Sequence, residues 1–276
     1  MLHWSGSKND LKANLSFEFS DPHFVTWYGN HFSYHGACDL VFLRNEKFAG
    51  GLGLDLHIRT EHMLEKAFSF VSNAALRIGN DVLEVSSNGA HYINGKLGVP
   101  DNLGGFPVTK SVKESCRGSN ENRKCWLSLQ FDIELDYHDH IFINVASEMV
   151  HINVVGSPMN FEGSVGVMGT YPALHNGKIG RDGITFISDP DQFSEEWQVR
   201  DNEPILFKQN RHPQFPERCT PAINYSGAIR KLRDDEQELI AVQEACSDVT
   251  GPDWEFCIFD VTATGDYGMG VTIYGN

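Results

Sequence analysis

Short alternations of apolar and polar residues dominate the first half of the chain. Residues 23–44 break into HFVTWY, HFSY and CDLVFLR, punctuated by Gly29-Asn30 and Gly36. Runs this short, bounded by turn residues, predict strand, turn, strand, turn, strand. Residues 52–61 (LGLDLHIRTE) alternate with period two and predict a half-buried strand. Segments 67–79, 82–86 and 91–93 continue the pattern, separated by IGND and SNGA, whose residues reach positive φ easily. Residues 98–124 are richer in Gly, Asn, Ser and Lys and read as loop. Two more strands are predicted at 126–135 and 140–155, the second broken, with the turn DYHD (136–139) between them. Many strands at short spacing predict an antiparallel sandwich or barrel.

The tail changes period. Residues 226–248 (SGAIRKLRDDEQELIAVQEACSD) carry Ile229, Leu232, Leu239, Ile240 and Ala245 roughly on one helical face, with Ser226 as N-cap. The Pro-bearing stretch before it, FKQNRHPQFPERCTP, reads as a connector. There is no internal repeat and no low-complexity tract.

Composition narrows the function. With 276 residues, 41% of them apolar, the chain can bury a full core and does not read as disordered. A net charge of −15 argues against nucleic acid as partner, because phosphate binding needs a basic face. No apolar run approaches the ~18 residues of a membrane span. The start, MLHWSGSKND, has no leader pattern, so the chain is cytosolic or a mature secreted segment. Two features favour secretion: six cysteines with no CxxC pair, and the glycosylation sequons at Asn14 and Asn224.

The residues also carry a family resemblance. Ser20-Asp21-Pro22-His23, followed by Thr26, Trp27, Gly29, Phe32, Gly36, Cys38 and Asp39, resembles the opening of a von Willebrand factor type D domain. VGVMGTYP (165–172) is similar to that family's Cys-Gly-Leu-Cys-Gly-Asn-Tyr block, and DGITFISDPDQFSEEWQV (182–199) to its closing segment. NDVLEV and YINGK fit between them, so the resemblance covers about residues 20 to 200. The tail FCIFDVTATGDYGMG looks like the segment following this domain in membrane-mucin and sushi-domain-type proteins. The resemblance implies an extracellular β-sandwich used for adhesion, self-assembly or contact with other extracellular or matrix proteins, and not an enzyme.

The departures are specific. Val165 and Met168 stand where the family has cysteines, so Cys38 lacks its usual partner. The pairing then expected is Cys116–Cys125, Cys246–Cys257 from the helix end to the last strand, and Cys38–Cys219 tying the tail to the sandwich; it is one of the fifteen that six cysteines allow. The family often binds calcium through the Asp of its Asp-Pro-His and an Asn/Asp loop. Here Thr170 and Pro172 stand where Asn and Asp would serve and the acidic pair is missing, which leaves Asp21, Asn176 and Asp182 as candidate oxygens, few for a cation that wants six to eight. No other cofactor is expected.

Some relatives cleave themselves between Asp and Pro. In this chain that assigns Asp21 as attacking carboxyl, Pro22 as leaving nitrogen and His23 as proton shuttle, although Ser20 replaces the family's Gly. The plainer reading is that Asp21-Pro22-His23 starts the first strand. His31 and His35, four apart with aromatic flanks, read as packing or surface residues, and the His-x-His of residues 138–140 as a solvated hairpin tip. No Gly-x-Ser-x-Gly elbow and no phosphate loop occurs. DDEQE (234–238) reads as the wet face of the helix.

The fold expected is mainly β: an antiparallel β-sandwich with a short helical C-terminal extension. Residues 1–19 are a lead-in, 20–207 the sandwich, and 208–276 a disulfide-tied helical extension with final strands. Loops 98–124 and 172–183 are the expected contact surfaces. Besides adhesion or assembly, the sequence leaves open self-processing at Asp21-Pro22 and cation-dependent carbohydrate or mineral binding.

Overall fold

The computed structural model describes residues 22–63, 68–117, 123–156, 158–172, 177–211, 213–221 and 236–273. Alternating sequence becomes antiparallel strand almost throughout. A small hairpin, β1 (His23–Val25) and β2 (His31–Ser33), precedes β3 (Asp39–Asn45), a tight turn labelled α1 (Phe48–Gly51), β4 (Leu54–Met63), β5 (Phe68–Ile78), β6 (Asp81–Ser86), β7 (His91–Ile93) and β8 (Lys96–Leu97). Strands β3 to β8 form one six-stranded sheet in sequence order. The second sheet runs β13-β12-β11-β10-β9, built from β9 (Asn102–Leu103), β10 (Phe106–Arg117), β11 (Lys124–Glu134), β12 (His140–Ala146) and β13 (Met149–Val155).

Period-two patterning explains the core. Leu54, Leu56 and Ile58 of β4, Leu76 of β5 and Val85 of β6 meet Phe131, Ile133, Ile141, Ile143, Ile152 and Val154 of the other sheet in one buried cluster. Two-residue turns set the registers. Ser147 and Glu148, both at positive φ, join β12 to β13 and break the predicted 140–155 strand. Asn94-Gly95 does the same between β7 and β8, as a turn with positive φ at both positions requires.

The segment that resembles the family's second block lies along β3. Backbone bonds join Val165 to Arg44, Val167 to Val41 and Met168 to Phe42, while Trp27 N–H donates to Met168 O at 3.0 Å. Gly166 is obligatory there, because a Cβ would sit 2.5 Å from the Phe42 carbonyl oxygen. Val167 and Met168 are buried, so apolar packing fills this region.

Four expectations need correction. Residues 98–124 are not mainly loop: β10 and β11 pair over ten residue pairs up to Arg117↔Lys124. The far edge of β10 meets β9 only at Phe106 and Pro107, and most of its side chains are wet, so it lacks the apolar alternation that marks a strand. The tail ends in helix, not strand. After α2 (Pro190–Glu196) come α3 (Glu236–Ala245), α4 (Pro252–Thr264) and α5 (Met269–Thr272). Third, β4 is not half-buried, since every residue from Leu54 to Thr60 is buried. Fourth, the buried face of α3 is Val242 and Ala245, continuing to Cys246, while Leu239 and Ile240 are 39% and 50% exposed. The bond from Cys246 to Cys257 orients that face inward.

All six cysteines pair: Cys38–Cys219, Cys116–Cys125 and Cys246–Cys257. Among the described residues no helix is long and apolar enough to cross a membrane.

Candidate functional site

Among the described residues, two regions gather buried titratable side chains. The first surrounds His23. Strand β1 begins at this residue, directly after the buried Pro22. Its Nδ1 lies 2.5 Å from Ser33 Oγ, on the paired strand opposite. Its Nε2 lies 3.4 Å from Asp260 Oδ1 on α4, and both side chains are buried. The ring stacks on Phe256 at 3.9 Å and meets Phe259 edge-on. His31 and His35 pack against the same helix, through Phe256 and Phe259 respectively. Burial lowers the pKa of both, opposed at His31 by Asp253 and at His35 by Asp191 and Asp260. The three histidines therefore gather on one helix, and their neighbours are aromatic rings and carboxylates.

Asp21, Asn176, Asn14 and Asn224 lie outside the described residues. Asp182 is committed to its own turn: its carboxylate accepts from the N–H groups of Ile184 and Thr185 at 2.9 and 2.8 Å and from the Thr185 hydroxyl. These bonds, the Thr185 hydroxyl first, hold it below the usual carboxylate range. His140 bonds Asp132 across the sheet at 2.7 Å. Asp136 accepts from the backbone N–H groups of His138 and Asp139 and closes the turn. Among the described residues the one His/Cys/Asp/Glu group of metal-binding size is Glu114, Cys116 and Cys125, whose two sulfurs are already bonded to each other.

The second region was not singled out from the sequence. It is the outer face of the six-stranded sheet, where period two puts Asp55, His57 and Arg59 of β4 side by side. Residues 198–211 cross this face as a strap. Asp55 takes Arg44 Nε at 2.5 Å and also Arg77. Glu203, on the strap, joins Arg44 to Arg181, the latter at 2.5 Å. Arg59 holds Asp39 through two 2.8 Å bonds and lies over the Phe207 ring at 4.4 Å. His57, at the centre, is 0% exposed. Burial dominates its titration and pushes it down to about 4, Asp55 opposing and Arg44 assisting. Burial alone would raise Glu203, yet bonds from Arg181, the Arg200 N–H and Arg44 outweigh it and bring it to about 2. The signal in the sequence was the run of alternating charges in LDLHIRTE; what hid it was the assumption that a charged strand face is wet.

No protein-family model matches the chain, and no curated protein matches it.

Proposed function

We propose that this chain is a non-enzymatic extracellular module, von Willebrand type D-like, that works in adhesion or in assembly of a larger surface or matrix protein. The observation carrying this reading is the use of all six cysteines in three disulfides, one of which ties Cys219 back to Cys38, just before β3. Such bonds persist in oxidising compartments. The packing of 165–168 against Trp27 and β3 adds support, because it joins the two segments on which the resemblance rests. The contact surface proposed is the turn at 180–186, where Ile184 is 84% exposed and Asp182 fixes the backbone. A rigid loop with an exposed apolar tip suits recognition.

The test is expression behind a secretion signal. We expect an intact mass lower by about two hydrogens per bridge than the reduced protein. Beads coated with the oxidised protein should cluster, and Ile184→Asp should disperse them. Six free thiols, or beads that stay single, would count against the reading.

One observation favours a second reading, self-processing at Asp21-Pro22. His23, next in the chain, is held between Ser33 and Asp260. In that chemistry the Asp21 carboxylate bonds to its own carbonyl carbon, the C–N bond to Pro22 breaks, and the nitrogen takes a proton from His23. Two fragments on a reducing gel after mild acid exposure, abolished in His23→Gln, are the expected result; an uncut chain rejects it.

A further inference from the structure

Strand β10 leaves one edge open. It pairs with β11 from Val108 to Arg117 in an unbroken register, and with β9 only at Phe106 and Pro107. Val108 N–H donates to Asp101 O at 3.0 Å, on the side away from β11. Strand alternation turns the N–H and C=O groups of Lys110, Val112 and Glu114 to that same side. Among the described residues no strand pairs with them. Proline, a bulge or lysine is the usual guard of such an edge. Between Thr109 and Ser115 only lysine occurs, at 110 and 113. The side chains of Lys110, Val112, Lys113 and Glu114 are all exposed. Val112 is 64% exposed, and Leu127, opposite Glu114, 66%. Period two puts both on the face that buries Phe131 and Ile133 farther along β11, so the hairpin carries this apolar face into water.

The order of charges along the edge favours one partner, a second copy. Antiparallel pairing of two β10 edges about a two-fold axis at Val112 sets Lys110 opposite Glu114 of the second copy, and the symmetry repeats that pair. It also sets Val112 against Val112. Because Leu129 lies opposite Val112 on β11, one apolar row then crosses four strands. On the other face Lys113 meets the uncharged Ser111. Neighbouring registers lack this match: an axis at Ser111 sets Lys110 opposite Val112, and one at Lys113 sets like charges against each other. Backbone parity agrees, since Lys110, Val112 and Glu114 turn both polar groups outward and can exchange about six bonds with their counterparts. Lys110 Nζ already lies 3.3 Å from His91 Nε2, which takes one of the three donors of the ammonium.

We propose that the edge from Thr109 to Ser115 is a homodimer interface, at which two copies of this chain join their five-stranded sheets into one continuous antiparallel sheet. Asp101, bonded to Val108, ends the pairing below Thr109. The interface is separate from the turn at 180–186 and does not depend on the adhesive reading.

Sedimentation velocity of the full oxidised chain over a concentration series tests this. A monomer–dimer equilibrium is expected. Lys110→Glu and Glu114→Lys should each weaken the dimer roughly tenfold, because each turns two attractive pairs into repulsive ones. The double exchange should restore it. Val112→Pro should abolish it while the thermal transition stays in place, since the lost N–H points away from β11. Ile184→Asp should leave the dimer unchanged, which keeps this interface apart from the loop contact proposed above. A chain that stays monomeric up to its solubility limit overturns the proposal. So does a dimer that both single exchanges leave as tight as before.

Discussion

His57 shows how one residue can make the whole molecule sensitive to acid. Above pH 6.5 its ring is neutral whether the chain is folded or not. Below its ordinary value of 6.5 the unfolded chain takes up a proton, while the folded chain does not until about 4. Stability therefore falls as pH drops from 6.5 to 4, by about 3 kcal/mol for a shift of this size. Glu203 extends the loss: its folded value of about 2 lies below the ordinary 4.5, so its contribution disappears as pH falls from 4.5 to 2. Urea unfolding at a series of pH values checks this. His57→Gln should flatten the dependence between 6.5 and 4; an unchanged slope would remove His57 from the account.

At the scale of elements, the C-terminal helices depend on close approach. A Cβ on Gly270 of α5 would lie 2.0 Å from the carbonyl oxygen of Ala245, which is backbone and cannot swing away. Gly270→Ala should therefore push α5 off α3, at a cost of about 1–3 kcal/mol for forced overpacking. Faster amide exchange confined to 236–273, with the sheets unchanged, is the expected signature; exchange indistinguishable from the parent protein would show that the contact relaxes freely. Helix α4 was legible in part. Pro252 in its first turn, Asp253 and Glu255 beside it, and Gly265 in the left-handed C-terminal position are ordinary helix signals. The β-branched Val261, Thr262 and Thr264 favoured a strand instead, and the rest was decided by Cys257 and Val261 finding a common core with Ala245 and Cys246.

Across the whole molecule, the three disulfides differ in the chain they close. Cys38–Cys219 spans 181 residues, against 9 and 11 for the others. Loop-closure entropy makes the long one worth about 5 kcal/mol and each short one roughly 3. Cys38→Ser with Cys219→Ser should lower stability more than Cys116→Ser with Cys125→Ser, by roughly 2 kcal/mol in denaturant unfolding. The reverse order would mean that strap and tail are held by the ion pairs and not by the bond.

Sequence alone determined the strands whose two faces differ. Apolar alternation in β11 and β12, and turn residues such as Asn94-Gly95, are local properties that need no partner to be read. Tertiary structure alone decided where charge is buried. Asp55, His57 and Arg59 look like a wetted strand face until residues 198–211 supply Glu203, Leu206 and Phe207 to cover them. Asp260, far along the chain, likewise meets His23 only because α4 docks on the first hairpin. Contacts between distant segments depend on how surfaces fit once folded, and no spacing of residues along a chain encodes that fit.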